Sequence, residues 1–402
     1  MQNTVVVKYG GSSVATTEKI RDIAARLVAR QRQGERIVVV VSAMGKTTDG
    51  LLGLAREISA APCKRDLDML LSTGEQVSIA LLSIAVKEAG GKSISLTGFQ
   101  AGIETCDTHS KARISAIKKD RILQHLDRHE IVVVAGFQGV TENGDITTLG
   151  RGGSDTTAVS IAAVLQCPCE IYTDVDGVYT IDPRVYPNAR KLDVISYDEM
   201  LELASLGAKV LETRSIEMGH KYKVPILVAL STGEYPGTII KEWDETMEKK
   251  AVTGLTVTEN CLMVSLSLVP YTAANISRIF AKLASRNIMV DMISQTAPFH
   301  HTVNVSFTTL LDDRLAVQQV LDELQGEMEG IGIAMDDSLV KLSVVGIGMI
   351  SQSGVAARLF TLLADNGIEF QQVTTSEISI SYTIFAKDKD LAVQAIAEAF
   401  EL

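Results

Sequence analysis

Lys8 closes a short apolar run over residues 4–9, and the chain then turns through Gly10-Gly11-Ser12-Ser13 into a helical pattern. Backbone amides in a glycine turn that opens a helix form an anion site, and a strand-end lysine can reach a phosphoryl oxygen held there. The order differs from the Walker loop, in which the lysine follows the glycines, and taken alone the turn reads first as an ordinary loop. A second turn of this kind, Gly150-Arg-Gly-Gly-Ser-Asp155, follows the polar stretch Glu142-Asn-Gly-Asp145 and opens a helical run near Thr156. Its amides would point at an anion, and Arg151 can grip a carboxylate bidentately. Asp155 has a plainer reading as a helix N-cap. Two such turns on one sheet would let one hold nucleotide phosphates and the other an acceptor. Phosphoryl transfer asks a protein mainly for charge neutralisation and alignment, with Lys8 on the migrating group and Asp155 orienting that lysine. The polar loop from Tyr172 to Arg184 is either a set of local turns or a nucleotide site. In the second case Thr173 and Asp174 lie near the base or ribose, Tyr179 packs on adenine, and Arg184 and Lys209 meet phosphates.

The elements that must position these groups follow from periodicity. Apolar runs at 4–9, 36–41, 131–135, 170–173 and 224–230 read as strands, and 15–33, 66–89 and 156–166 carry helical spacing. Strands alternating with helices predict a parallel sheet covered on both faces, with ligands at the carboxyl ends of the strands. The charged stretch 241–250 reads as a linker or bridging helix, its Glu/Lys run a solvated face.

Beyond the linker the chain repeats itself. Arg278-Ile-Phe-Ala-Lys-Leu-Ala284 matches Arg358-Leu-Phe-Thr-Leu-Leu-Ala364, Val303-Asn-Val-Ser-Phe-Thr308 matches Ile378-Ser-Ile-Ser-Tyr-Thr383, and Leu315-Ala-Val-Gln318 matches Leu391-Ala-Val-Gln394. Each copy reads β-α-β-β-α. A strand near 331–335 completes the first, but the second ends at Leu402 directly after its helix. The spare strand 251–257 is the right length to fill that gap, which predicts that the first copy is inserted within the second; the plainer alternative leaves two separate domains and one open edge. The expected division is 1–240 for the catalytic domain, 241–250 for the linker, 262–337 for the inserted copy, and 251–261 plus 338–402 for the other.

Composition narrows the classes. The chain is 46% hydrophobic but 5% aromatic, the content of Val/Ile/Leu/Ala layers. A formal charge of -11 argues against nucleic-acid and anionic-membrane partners. Five scattered cysteines, Cys63, Cys106, Cys167, Cys169 and Cys261, make no disulfide framework and no C-x-x-C pair. No apolar run is read as reaching the roughly 18 residues of a membrane span, and no signal-peptide layout precedes the first strand, so a cytoplasmic protein is expected.

Taken together, Lys8-Tyr-Gly-Gly-Ser-Ser, Val41-Ser-Ala-Met-Gly45 with Thr47-Thr48, Thr73-Gly-Glu75, Gly136-Phe-Gln-Gly139, Thr148-Leu-Gly-Arg-Gly-Gly-Ser-Asp-Thr157 and Tyr172-Thr-Asp-Val-Asp-Gly-Val-Tyr179 resemble the aspartokinases of the amino acid kinase superfamily. The repeated half resembles tandem ACT domains. The resemblance spans nearly the whole chain. The fold it implies is α/β, the amino acid kinase fold with a parallel-rich central sheet and helices on both faces, followed by two ferredoxin-like βαββαβ ACT domains. The activity it implies is ATP-dependent formation of 4-phospho-L-aspartate with Mg²⁺, the first step toward lysine, threonine and methionine. In that family's pattern Lys8 and Asp155 are the catalytic pair. Lys8, Tyr9, Gly10, Gly11, Ser12, Thr173, Asp174, Tyr179, Arg184, Lys209 and Val210 serve ATP. Ser42, Thr48, Glu75, Arg151, Gly152, Gly153 and Ser154 hold aspartate, with Glu75 suited to the α-ammonium and Arg151 to the α-carboxylate. Mg²⁺ would rest on ATP phosphates and water, so no protein metal ligands are assigned.

The same resemblance puts an amino-acid effector, lysine and/or threonine, at the strand-to-helix turn of each copy. Those positions are Ala274, Asn275, Ile276 and Gln295 in the first, and Val355, Ala356, Thr375, Ser376, Glu377 and Ser381 in the second. The second copy keeps Gly354 in its turn, whereas the first has Ala274 there, preceded by Ala273, and Asn304 stands where an acidic residue is usual. His300-His301 reads as a solvated loop. ACT pairing implies a homo-oligomer, or an α2β2 assembly with a free regulatory chain started internally at Met247. The rival readings are another amino acid kinase and a non-catalytic sensor, the first opposed by the duplicated ACT region and the second by the presence of Lys8, Arg151 and Asp155.

Overall fold

The computed structural model describes residues 3–233, 235–244 and 250–402. The internal start considered at Met247, and part of the linker, lie outside the described residues. The chain forms two compact units: 3–178, 191–204 and 209–244 in one, 179–190, 205–208 and 250–402 in the other.

The first unit is built on an eight-stranded sheet. Its order is Val194–Ser196, Thr238–Lys241, Ile226–Leu230, Cys169–Thr173, Thr4–Tyr9, Arg36–Val41, Ile131–Ala135 and Ser93–Leu96. The pairs are parallel except that Thr238–Lys241 runs antiparallel to Ile226–Leu230. The central strand Thr4–Tyr9 alternates its side chains. Val5, Val7 and Tyr9 enter a core with Ile20, Ile23 and Leu27 of helix Thr17–Arg32 and with Ile79, Leu82 and Val86 of helix Lys64–Glu88. Val6 and Lys8 are buried outside that cluster, and helix Gly153–Leu165 lies against the same strand. Helix Lys64–Glu88 is long and apolar enough by composition to qualify as a membrane span, a property the reading by apolar runs missed; half of that window is buried in the unit.

The second unit holds two four-stranded sheets. In one, Ser294–Gln295, Thr302–Thr309, Leu262–Pro270 and Gly332–Asp336 are joined antiparallel. In the other, Gly254–Thr258 pairs with Leu339–Val345, which pairs with Ser379–Phe385 and then Phe370–Thr375. The first sheet therefore lies, in chain order, between the outer strand of the second and its remainder. Residues 179–190 were expected within the catalytic half, but they group with the second unit. Ile181 belongs to the apolar core around Leu255, Leu342 and Val344, and the Leu255 amide donates to the Thr180 carbonyl at 2.8 Å. The polar turn residues of that loop left local turns and a nucleotide site as equal readings; packing Val185 and Tyr186 against this core buries apolar surface in the second unit.

Candidate active site

Strand alternation sends Lys8 toward helix Gly153–Leu165, and its Nζ lies 2.5 Å from Oδ1 of Asp155 in the helix's first turn. The N-cap of that helix is Gly152 at φ 64°, with no side-chain cap bond, so Asp155 is free of the capping role and faces Lys8. After Lys8 the chain turns through Gly10 and Gly11. Gly11 leaves no room for a side chain, because a Cβ would stand 2.8 Å from the Ala43 carbonyl. The Gly45 amide donates to the Gly11 carbonyl at 3.0 Å, which joins this turn to the next strand's turn.

Glu75 reaches the same place from helix Lys64–Glu88. Its Oε1 accepts from the Ala43 amide at 3.1 Å, while Oε2 is buried with no partner. Burial pushes its carboxyl up to about 7, against the ordinary 4.5. Ser42 donates its amide to the Tyr9 carbonyl at 3.2 Å, and Thr48 lies in the first turn of helix Thr47–Ile58. Opposite, the turn at residues 150–153 is held by the Gly153 amide on the Gly150 carbonyl at 3.0 Å.

These pieces wall one cleft of about 390 Å³. Lys8, Gly10, Gly11 and Ser12 line it from the first turn, and Ser42, Thr48 and Glu75 from the next elements. Arg151, Gly152, Gly153, Ser154 and Asp155 line it from the second turn, with Thr173 at the adjoining strand end. Both glycine turns thus face a single space. Ala43, Gly45, Phe137 and Gly150 also line it and were not singled out as site residues. Phe137 lies in the quoted Gly136-Phe-Gln-Gly139 motif and has a φ of 68° that bulky residues rarely adopt.

Tyr9 turns its side chain away from the cleft. As Lys8's neighbour in a strand it must point to the other face, where its ring is buried and stacked on Tyr172 at 5.2 Å; its side chain has no access to the cleft. Asp174 is exposed and accepts from Thr173 Oγ1 at 3.1 Å. Lys209 is exposed and Val210 half-buried, and neither lines the cleft. Tyr179 and Arg184 belong to the second unit, where Arg184 forks onto Asp182 at 2.6 and 3.0 Å.

Among the effector positions, Ala274 is exposed and Asn275 donates its side-chain amide to the Pro270 carbonyl at 2.9 Å, behind the Thr272 cap. Ile276 packs partly on the first copy's core, and Gln295 sits on an edge strand. Asn304 Oδ1 accepts from the Leu268 amide at 3.3 Å at the strand's bulge. In the second copy Thr375, Ser376 and Glu377 are exposed and Ala356 is half-buried. Val355 and Ser381 have buried side chains. Val355 joins the apolar core, and Ser381 Oγ lies 2.7 Å from Ser343 Oγ across the sheet.

The chain matches the amino acid kinase family over residues 3–229 and an ACT domain family over 342–400. It is 49% identical to an aspartokinase of Geobacillus stearothermophilus over 399 residues, covering 99% of this chain and 97% of that one. Escherichia coli aspartokinase III in complex with aspartate and ADP superposes with a TM-score of 0.79 at 25% identity, covering 98% of this chain and 99% of that one. Its complex with lysine and aspartate gives 0.81 at 25% identity, with 99% of both chains covered. Near-half identity along the full length leaves one conclusion: the chain belongs to the aspartokinase family, ATP-dependent kinases of the amino acid kinase fold that carry ACT domains.

Proposed function

We propose that this enzyme transfers the γ-phosphoryl group of ATP to the β-carboxylate of L-aspartate, giving 4-phospho-L-aspartate and ADP. The observation that carries the reading is the Lys8–Asp155 pair, set between two glycine turns that share one cleft. The amides of Gly11 and Ser12 are offered to the nucleotide phosphates, with Thr173 beside them, while the Gly10 amide is held by the Tyr172 carbonyl at 3.2 Å. Arg151 takes the α-carboxylate of aspartate and Glu75 its α-ammonium, assisted by Ser42, Thr48 and Ser154. A β-carboxylate oxygen forms the new bond to phosphorus as the bond to the bridging oxygen of ADP breaks. The acceptor is already ionised, so no proton has to leave and no general base is required. Lys8 neutralises charge on the group in flight, and Asp155 holds the ammonium in place.

The cleft suits Mg²⁺ only on the nucleotide. Of its two acidic side chains, Asp155 is engaged by Lys8 and Glu75 is bonded to Ala43. Bound Mg²⁺ would supply charge neutralisation on the phosphates. Feedback by lysine, threonine or both at the exposed ACT turns, oligomerisation through the ACT copies and a cytoplasmic location complete the reading. The lysine complex of the E. coli relative supports lysine as the first effector to test.

Incubation with Mg-ATP and a panel of acceptors, followed by hydroxylamine trapping, tests the assignment. A hydroxamate with aspartate alone is expected. Product with glutamate or acetylglutamate instead, or with no acceptor at all, would sink it.

A further inference from the structure

Asp68 is a fully buried carboxylate that none of these roles uses. It precedes Glu75 by seven residues on helix Lys64–Glu88, so both lie on one helix face. Asp68 is not part of the cleft wall. Its oxygens accept from Thr148 Oγ1 at 2.6 Å, from the Ser110 amide at 2.9 and 3.1 Å, and from Nδ1–H of His109 at 2.9 Å. Ser110 has a φ of 67°, a conformation that persists where its surroundings enforce it.

These partners lead to the second glycine turn. Thr148 ends the strand Ile146–Thr148, three residues before Arg151. The Ser110 carbonyl occupies the space beside Gly150, 3.1 Å from where a Cβ would be. The Ala112 amide donates to the Thr148 carbonyl at 2.9 Å. From the other side, Arg214 donates to the Leu149 and Ala112 carbonyls at 3.1 and 2.8 Å.

We infer that Asp68 is a positioning residue, which through Thr148 and Ser110 holds the Arg151 turn at a set distance from Glu75. One rigid helix then spaces the two groups that grip the amino acid's carboxylate and ammonium. This rests on the aspartate reading above. The start of helix Gly153–Leu165 has its own anchor, since Thr157 Oγ1 donates to the Gly153 carbonyl at 2.8 Å and accepts from the Phe137 amide at 3.2 Å. Loss of Asp68's hold is therefore felt at Arg151 before it reaches Asp155.

The full chain is assayed with Mg-ATP and aspartate as wild type, Asp68→Asn, Thr148→Val, His109→Asn and His109→Gln, with hydrogen exchange read at residues 149–153. Asparagine at 68 turns an NH₂ toward donors that need an acceptor. Asp68→Asn and Thr148→Val are expected to raise KM for aspartate about tenfold and about fivefold, with KM for ATP within about twofold of wild type. Exchange should quicken at 149–153 and not in strand Thr4–Tyr9. His109→Asn, whose amide nitrogen can replace Nδ1, should stay near wild type, while His109→Gln follows the Thr148 variant. Equal rises in both KM values, or an unmoved KM for aspartate, overturns the inference. Should Asp68→Asn fail to fold, the Thr148 and His109 variants decide alone. A wild type that does not phosphorylate aspartate refutes the acceptor reading, and exchange at 149–153 then decides on Asp68 by itself.

Discussion

Lys8 Nζ and Asp155 Oδ1 stand 2.5 Å apart with side chains only 9% and 12% exposed. A charge pair this dry is held for geometry more than for stability, since desolvation offsets most of its attraction. Lys8→Met and Asp155→Asn should each lower kcat by about 10²–10³-fold or more, with circular dichroism unchanged. The double variant should lose little beyond the worse single, because the pair acts as a unit. Independent, multiplying losses in steady-state kinetics would show that the two groups do not work together.

Glu75 supplies a pH dependence. Its carboxyl is raised from 4.5 to about 7 by burial, and only the carboxylate attracts an ammonium. In the free enzyme kcat/KM for aspartate should therefore fall as pH drops below about 7, and Glu75→Gln should be slow at every pH with that limb flattened. Stability runs the other way. Between pH 4.5 and about 7 the folded state holds a proton that the unfolded state has released, so the group's contribution falls as pH rises through that window. Melting temperatures should then favour Glu75→Gln over wild type at pH 8 and not at pH 4.

Gly152 combines a φ of 64° with the side chain of Glu212 filling the space where a Cβ would stand. Gly152→Ala costs about 1 kcal/mol in backbone strain alone and must also displace Glu212. A rise of about tenfold in KM for aspartate is expected, in line with a shifted turn. Adding Glu212→Ala should recover part of that loss, and an unchanged double variant would place the effect in the backbone only.

Lys341 and Asp291 join the two ACT copies by an ion pair whose ends differ in exposure, the lysine side chain at 7% and the aspartate at 50%. Asp291→Asn strands a buried ammonium and should destabilise by about 3 kcal/mol, whereas Lys341→Met removes the charge with its burial cost and should stay within about 1 kcal/mol of wild type. Denaturant unfolding of both variants separates a stranded charge from a lost bond. Equal losses would argue that the attraction itself matters.

Much of this site was legible because its parts are local. A lysine at a strand end, a glycine pair behind it and a second glycine turn before a helix each carry their chemistry within a few residues, and turn geometry depends on nearest neighbours. The alternation that sends Tyr9 away from Lys8 is also a local property, since neighbours in a strand face opposite sides of the sheet. Asp68 had no such signal. An aspartate inside a helical run reads as solvated surface until Thr148, Ser110 and His109, far away in sequence, converge on it.

The sequence by itself determined the central strands and their flanking helices, the two glycine turns and the repeated β-α-β-β-α halves, because period and turn chemistry are short-range properties of the chain; the short strands Ser93–Leu96, Val194–Ser196 and Thr238–Lys241 carried too few residues to show a period. Tertiary structure alone decided which face each strand residue met, that residues 179–190 join the second unit, and that Glu75 is left with an unpartnered, hard-to-ionise oxygen. Desolvation and long-range hydrogen bonds exist only once distant segments exclude water from the same place, and no spacing of letters records that.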